Sequence, residues 1–203
     1  MDPKKRTMGA TERDEARRRT WIRLIRNIDA RRLVFIDESG ANITLARRYG
    51  RAPSDHRCHG SAPRNYDENL TLFASLSLQG MRAAMLLDGA ADGVSFQVYV
   101  EHILVPTLRP RQLVIMDNLS VHKQVPIRAA IEAAGCRVLF LPSYSPDFNP
   151  IELAFSKIKA YLRRVGARTK ETLEAAIGEA LDLVSTSDAT GYFRHCGYAE
   201  LAQ

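Results

Sequence analysis

Several features that would place a protein in a particular class are missing from this sequence. No run of about eighteen apolar residues occurs, which argues against a membrane-spanning helix. There is no glycine-rich phosphate-binding loop, so a nucleotide hydrolase of that type is not expected. The opening MDPKKR precedes no apolar segment, which argues against a secretory signal. The three cysteines (Cys58, Cys136 and Cys196) are scattered and odd in number, which is typical of a reduced cytosolic protein rather than a disulfide framework.

The positive charge of the chain is concentrated at one end. Its 203 residues, 45% hydrophobic and 26% charged, suit one globular domain of ordinary size with a buried core. Residues 1–32 contain eleven Lys and Arg but five Asp and Glu, whereas residues 33–203 contain eighteen of each, so the net charge of +6 comes from the first segment. A basic arm suggests an anionic partner such as nucleic acid, although a solvated helix rich in arginine explains the pattern equally well.

Helix and strand patterns alternate along the chain. Residues 12–28 have Trp21, Leu24 and Ile25 at helical spacing. Three compact apolar runs predict strands covered on both faces, namely RLVFIDESG, RQLVIMDN and CRVLFLP. A hairpin is predicted to turn at Gln79-Gly80, and ANITLARRYGRAP could form a further strand.

The remaining segments are predicted to be helical. They are DGVSFQVYVEHILVPTL, PIRAAIEAAG, Pro150–Val165 and residues 170–184. This order of strands and helices predicts an α/β fold in which helices cover both faces of a mixed sheet.

Acidic residues follow two of the predicted strands. Asp37 comes directly after LVFI and Asp117 directly after LVIM, where each strand core emerges. If the two strands are parallel neighbours, both carboxylates project from the carboxyl edge of the sheet, where open α/β folds bind ligands. One acid at a strand end is common, whereas two matching acids after two strands are less so.

A third acid begins a later helix. In LPSYSPDFNPIELAFSKIK, Asn149 is a good N-cap, Pro150 suits the first helical position and Glu152 occupies the third. On its own this pattern favours a structural explanation, a capping-box-like pair between Asn149 and Glu152. A cap does not need the preceding prolines, which suit a helix start that must be held in place for a reaction.

Carboxylates that converge at one sheet edge are typical of a site for Mg²⁺ or Mn²⁺. These hard cations prefer oxygen ligands and leave positions open for water and phosphate. Two ions about 3.5–4 Å apart can clamp both oxygens of an in-line phosphoryl displacement, so two ions are expected. Without a cation the neighbouring carboxylates would repel one another. Asp37, Asp117 and Glu152 are therefore the predicted metal ligands and catalytic residues.

Cations continue along the helix that begins near Glu152. Lys159 and Arg163 share a polar face with Glu152, along which a DNA backbone could lie. An ordinary solvated face with a weak Glu–Lys interaction is an equal alternative for Lys159 and the better explanation for Arg163.

Three segments resemble a known family. FIDES, IMDNLSVHK and LPSYSPDFNPIELAFSKIK are similar to the signature blocks of the mariner superfamily of transposases, in its bacterial insertion-sequence branch. The resemblance covers roughly residues 31–164, and its third block is the most specific. It implies a ribonuclease-H-like fold with an Asp-Asp-Glu triad, here Asp37, Asp117 and Glu152. Thirty-four residues separate Asp117 from Glu152, the interval typical of this superfamily.

The resemblance also implies roles for residues around the triad. Lys159 matches a basic residue seven positions after the glutamate, and with Arg163 it is predicted to bind DNA. Asn118 matches the usual neighbour of the second aspartate and is predicted to position groups in the site and to contact DNA. Glu38 and Asp147, the other acids nearby, are interpreted as supporting or loop residues.

One part of the family pattern is missing. Relatives carry about a hundred N-terminal residues with a helix-turn-helix, whereas residues 1–32 contain no credible pair of helices joined by a tight turn. The expected organisation is a basic helical arm, 1–32, followed by a catalytic domain, 33–203. Such a chain resembles the catalytic half of a split or frame-shifted transposase, or a truncated copy.

The leading hypothesis is a metal-dependent DNA phosphoryltransferase that cleaves the ends of an insertion sequence and transfers the strands to target DNA. The expected partners are double-stranded DNA at the element ends and at the target, a separately encoded helix-turn-helix product and a second copy of the chain in a homodimer. No membrane partner is expected. The expected location is the bacterial cytoplasm, at the nucleoid. Two alternatives stay open: a catalytically idle DNA-binding or assembly remnant, and a general ribonuclease-H-like nuclease.

Three other features support weaker hypotheses. The HRCH segment, with His56, Cys58 and His59, resembles half of a zinc site but lacks a second ligand pair at the usual spacing. His122 could approach the acidic site, although a role within its own loop is favoured. Tyr144 could stack on a base, although packing beside the prolines is favoured.

Overall fold

A five-stranded mixed sheet forms the centre of the fold. The computed structural model describes residues 11–47, 49–63 and 69–198. The strands are β1 (Leu33–Asn42), β2 (Asn69–Ser77), β3 (Gly80–Asp88), β4 (Leu113–Met116) and β5 (Arg137–Phe140). They lie in the order β3-β2-β1-β4-β5. The pairs β1–β4 and β4–β5 are parallel, whereas β1–β2 and β2–β3 are antiparallel.

The described residues also form six α-helices. They are α1 (Glu15–Ile25), α2 (Gly93–Val98), α3 (Val125–Ala133), α4 (Pro150–Val165), α5 (Lys170–Asp182) and α6 (Thr186–His195). A π-helical segment, Tyr99–Leu104, continues directly from α2. The helix predicted from DGVSFQVYVEHILVPTL is thus present but changes its winding part of the way along.

Alternation along the strands divides the core into two layers. In β1, Leu33 and Phe35 point to one face of the sheet and Val34 and Ile36 to the other, because successive side chains of a strand alternate. The first layer packs against α1, α4, α5 and α6, and the second against α2, its π-helical continuation and α3. The predicted α/β architecture, with helices on both faces of a mixed sheet, is confirmed.

Two local patterns predicted the structure well. The hairpin turns where expected, and Gly80 opens β3 with a φ of 97°, which glycine adopts without a steric penalty. The apolar stripe of α4 is buried in the first layer, and Gly166 ends the helix with a left-handed φ of 68°. The buried stripe consists of Ile151, Phe155, Ile158 and Leu162.

Three elements differ from the prediction. β1 does not end at Gly40, because Ala41 and Asn42 still pair with β2. The further strand expected in ANITLARRYGRAP is wrong, since residues 43–47 and 49–63 contain no strand. Helix α6 was not predicted, because its only fully buried apolar residues are Ala189 and Phe193, too few to show a helical period.

The helix in the basic segment packs onto the sheet domain. It is shorter than the predicted 12–28, since it begins after the N-cap Asp14. Trp21 and Ile25 are buried, whereas Leu24, expected on the apolar side, is 46% exposed. Trp21 Nε1 donates a hydrogen bond of 3.2 Å to the hydroxyl of Tyr198, which lies at the other end of the described chain. Helix α1 is therefore part of the first core layer.

Candidate active site

Two carboxylates lie at the carboxyl edge of the sheet because β1 and β4 are parallel neighbours. Phe35 pairs with Ile115, and Asp37 and Asp117 each stand two residues further along. Phe35 and Ile115 both pack in the first layer, so alternation directs the two acids toward that same side, where α4 lies. The condition under which the sequence placed both acids at one edge, that the two strands are parallel neighbours, is therefore met.

Asn149 connects the start of α4 to the sheet. It is the N-cap residue of α4, but its side chain makes no capping bond. Instead, Asn149 Nδ2 donates a hydrogen bond of 2.8 Å to Asp37 Oδ2. Asn149 is only 4% exposed, so this bond is shielded from water and fixes the helix start against β1. The capping-box explanation for Asn149 and Glu152 is therefore wrong.

Glu152 completes an acidic cleft. Its exposed side chain lies in the first turn of α4. Asp37, Asp117 and Glu152 together line a cleft of about 420 Å³, whose remaining walls include residues 141–146 and Asn149. Three acids that are far apart in the sequence thus face one solvent-filled space.

The approach segment, residues 141–149, is tied to the sheet edge and displays an aromatic ring. Asn118 Nδ2 donates a hydrogen bond of 2.8 Å to Ser143 Oγ. Tyr144 has a φ of 55°, a left-handed conformation that costs a non-glycine residue roughly 1–2 kcal/mol. Its side chain is 58% exposed at the wall of the cleft, so the expectation that Tyr144 packs beside the prolines is wrong.

The acids influence one another electrostatically. The pKa of Asp37 is raised to about 7, mainly by burial and further by the negative charges of Glu38, Glu152 and Asp117, while a hydrogen bond from the Glu38 amide opposes the shift. Each negative charge therefore destabilises the ionised form of Asp37. A divalent cation in the cleft would reverse this effect.

The chemistry of the cleft fits a hard divalent cation. Its donors are carboxylate oxygens, and Asn149 Oδ1, a buried oxygen of another residue that lines the cleft, has no hydrogen-bond partner. As placed, Asp37 uses both carboxylate oxygens in hydrogen bonds. Among residues 11–47, 49–63 and 69–198, no group of three His, Cys, Asp or Glu side chains is close enough together, as placed, to hold one metal ion. Binding of one ion by all three carboxylates would therefore require their side chains to move closer together.

The HRCH segment gives no support to the zinc hypothesis. His56, Cys58 and His59 are exposed, and His56 Nδ1 forms a 2.8 Å contact with Asp55. Within the described part of the chain, no group of three metal-binding side chains includes them.

His122 contacts the acidic site, so the structure supports the hypothesis that the sequence analysis had favoured less. It is 2% exposed, and its Nδ1 lies 2.5 Å from Asp117 Oδ1. Its Nε2 lies 3.5 Å from Glu38 Oε2, an ion-pair contact too long for a strong hydrogen bond. Burial alone would lower the pKa of His122, but its interactions with Asp117 and Glu38 outweigh burial and raise the pKa to about 9.

Lys159 and Arg163 extend the polar face of α4 away from the cleft. Lys159 is about 10 Å along the helix axis from Glu152, at a rise of about 1.5 Å per residue. It is half-buried beside Ser39 and Gly40 of β1. Neither cation forms an ion pair with a described residue.

Asp147 lies outside the cleft. Arg18 donates two hydrogen bonds to its carboxylate, of 3.0 and 2.6 Å, and Arg13 donates another of 3.0 Å. Burial would raise the pKa of Asp147, but the hydrogen bonds and charge of Arg18, together with the charge of Arg13, outweigh burial and hold the pKa below its ordinary value. Its interpretation as a loop residue agrees with this position.

The fold and the cleft together define a class of domain. A mixed five-stranded sheet with acids after two adjacent parallel strands, and a third acid on a helix facing them, is a ribonuclease-H-like arrangement. The family model of the DDE superfamily endonucleases matches residues 32–174, and the chain belongs to this family. No curated protein matches the chain.

Solved structures of Mos1 transposase share the fold. The Mos1 transposase paired-end complex with left transposon end has a TM-score of 0.75 at 17% identity, covering 97% of this chain and 62% of that chain. The mariner Mos1 paired-end complex with Mg has a TM-score of 0.69 at 19% identity, covering 97% of this chain and 62% of that chain. The catalytic domain of Mos1 mariner transposase has a TM-score of 0.63 at 17% identity, covering 94% of this chain and 89% of that chain.

These similarities confirm the ribonuclease-H-like fold expected from the sequence. They also confirm the resemblance at the level of the DDE superfamily. The chain spans about 62% of the length of the Mos1 chain in the paired-end complex. In the described part of the chain, no helix is both long and apolar enough to cross a membrane.

Proposed function

We propose that this chain is the catalytic domain of an insertion-sequence transposase, and that it catalyses metal-dependent DNA end cleavage and strand transfer. The observation that carries the proposal is that Asp37, Asp117 and Glu152 line one cleft at the carboxyl edge of two parallel strands. Membership of the DDE superfamily endonucleases supports cleavage of a phosphodiester. The Mos1 complex with a transposon end supports DNA as the substrate.

In this proposal Asp37, Asp117 and Glu152 hold two Mg²⁺ or Mn²⁺ ions. The chemistry that bound ions supply is polarisation of the scissile phosphate and activation of water or a 3′-hydroxyl as the nucleophile. The Mos1 complex with Mg supports the choice of metal. The buried amide of Asn149 holds Asp37 against the start of α4, which keeps the sheet and helix ligands in a fixed relation.

Cations and an amide around the cleft are proposed to contact the DNA. Asn118 lies at the cleft wall, and Lys159 and Arg163 extend from it along α4. Exposed Arg19 and Arg23 on α1 would add attraction for phosphates. Binding should therefore weaken steeply as the salt concentration rises.

The proposed organisation is a basic helical arm, 1–32, and a catalytic domain, 33–203. A separately encoded helix-turn-helix product is the proposed partner for recognition of the element ends. The proposed setting is the bacterial insertion-sequence branch of the family and the nucleoid, with a second copy of the chain as a partner in the synaptic complex.

The test is nicking of supercoiled plasmid by the purified chain with Mg²⁺, Mn²⁺ or a chelator. Wild type is expected to nick only with a divalent metal. Asp117→Asn should abolish nicking with an unchanged circular-dichroism spectrum, because it removes a charge from the metal site. Equal metal-dependent nicking by the variant would refute the assignment.

Two further assays separate this proposal from its alternatives. Joining of a pre-cut oligonucleotide to plasmid supports a transposase, whereas nicking without joining indicates a general nuclease. Salt-sensitive DNA binding without nicking or joining indicates an idle binding module.

A further inference from the structure

The turn after β4 buries an imidazole directly behind the proposed metal site. His122 lies in the 3₁₀ turn Ser120–Lys123 and is 2% exposed. Its ring packs on Phe96, with centroids 4.2 Å apart and an interplanar angle of 34°. An apolar side chain could fill this space without the cost of burying polar nitrogens. Because His122 instead buries two polar nitrogens, we expect it to have a role beyond packing.

Both hydrogen bonds on Asp117 go to the same carboxylate oxygen. His122 Nδ1 lies 2.5 Å from Oδ1, and the backbone N–H of Leu119 donates to Oδ1 over 3.0 Å. Among the described residues, none donates a hydrogen bond to Oδ2. The carboxylate is thus held by one oxygen while the other stays available in the cleft.

The other ring nitrogen reaches the neighbouring strand. His122 Nε2 lies 3.5 Å from Glu38 Oε2, an oxygen that is buried and has no hydrogen-bond partner. Glu38 follows Asp37 in β1, so alternation sends the two side chains to opposite faces of the sheet. His122 therefore bridges the ends of β1 and β4 from the face opposite α4.

We propose that His122 is a positioning residue for metal binding: its Nδ1–H holds Asp117 Oδ1, so that Oδ2 faces the cation. The inference rests on the proposed function, since it assigns Asp117 as a metal ligand. Groups that hydrogen-bond to a ligating carboxylate set its orientation, and their loss typically weakens metal binding about 10–100-fold.

Isosteric variants can separate the two nitrogens. The Nδ2 of asparagine reproduces the position of Nδ1, whereas the Nε2 of glutamine reproduces that of Nε2. His122→Asn should therefore bind Mn²⁺ within about threefold of wild type, while His122→Gln and His122→Phe should bind about 10–100-fold more weakly. Mn²⁺ binding is measured by electron paramagnetic resonance and by calorimetry, and folding by thermal melts.

Each outcome has a distinct meaning. Equal Mn²⁺ affinity in wild type, His122→Gln and His122→Phe would overturn the positioning role and leave the proposed function standing. No Mn²⁺ binding by wild type would overturn the proposed function itself, and the positioning role with it. Weak binding confined to the variants that lack the Nδ1 donor supports the inference.

A measurement on wild type keeps the inference testable if the variants unfold. The ¹⁵N resonances of the His122 ring should shift during a Mg²⁺ titration and saturate with the same Kd as calorimetry, because the bond to Asp117 changes when the metal binds. Ring resonances that stay constant while Mg²⁺ binds would contradict the positioning role.

Discussion

The two walls of the acidic cleft are held in different ways. The sheet wall carries Asp37 and Asp117 at the ends of buried strands, and the β1–β4 ladder sets their separation. The helix wall carries Glu152, whose position depends on the approach segment 141–149 and the start of α4.

Contacts from both ends of the described chain hold the helix wall. Arg18 binds Asp147, and its guanidinium carbon lies 4.1 Å from the centre of the Phe148 ring. The Tyr198 hydroxyl donates a hydrogen bond of 2.6 Å to the Phe148 carbonyl. The comparison teaches that one half of the site is built by strand pairing and the other by side-chain contacts from both ends of the described chain. Variants remote from the cleft should therefore disturb mainly the helix wall.

The largest effect is expected at the ligand of the helix wall. Glu152→Gln should lower the rate of metal-dependent nicking on the order of 10³-fold, as much as Asp117→Asn, since the chemistry needs both walls. Stability should not change, because Glu152 is exposed and its side chain makes no hydrogen bond to a described residue. Plasmid nicking and urea unfolding measure the two effects.

Glu174→Gln on α5 is the matched control for charge and should nick like wild type. A Glu152→Gln variant that retains most of the activity would show that the helix wall is not part of the reaction site.

The next largest effect is expected where α1 holds the helix wall. Arg18 is 8% exposed, and Arg18→Met should cost about 2–3 kcal/mol of folding stability, somewhat below a fully buried pair because Asp147 is partly exposed. Nicking should also fall, by about tenfold, because displacement of segment 141–149 moves Glu152. Urea unfolding and nicking rates at a temperature where both proteins are folded measure these changes.

Arg19→Met, an exposed neighbour on α1, serves as the control and should change stability by less than about 0.5 kcal/mol. An unaltered nicking rate in folded Arg18→Met would show that the helix wall does not depend on α1.

A smaller effect is expected at the other end of the described chain. Tyr198→Phe removes the hydroxyl that bonds the Phe148 carbonyl and the Trp21 indole, leaving two buried polar groups without partners. The expected loss is about 1–3 kcal/mol of folding stability. Chemical unfolding provides the measurement. A loss below about 0.5 kcal/mol would mean that this bond adds little to the helix wall.

The smallest effect is expected at a contact of α4 that is remote from the cleft. The pKa of Asp188 is lowered to about 2, first by the hydrogen bond from Lys157 on α4 and then by that from Ser185. A carboxylate with a depressed pKa stabilises the fold above its ordinary pKa of about 3.8, and this contribution is lost as the pH falls toward about 2. Because Asp188 is partly exposed, Asp188→Asn should cost below about 1 kcal/mol near neutral pH.

The difference between wild type and Asp188→Asn should therefore shrink as the pH falls from about 4 toward about 2. Urea unfolding across this range measures it, with Asp182→Asn as an exposed control. A difference that does not depend on pH would contradict the role of the charge, and a loss of nicking would show that the middle of α4 also controls the cleft.

The sequence by itself determined the strands, most of the helices and the three candidate acids of the cleft. Consecutive apolar runs identify β1, β4 and β5, because a strand buried on both faces has no polar period to obscure it. The stripe of α4 is equally clear, since a helix packed on a sheet repeats its apolar residues every three to four positions. The spacing of Asp37, Asp117 and Glu152 was therefore visible without coordinates.

Only the tertiary structure decided what surrounds those acids. The Asn149–Asp37 bond, the contact of His122 with Asp117 and Glu38, and the exposure of Tyr144 join segments whose separation in the chain carries no periodic signal. Helix α6 and the buried face of α1 likewise depend on partners contributed by distant residues. Local patterns record how each element is covered, whereas hydrogen bonds between elements arise only when packing brings their ends together.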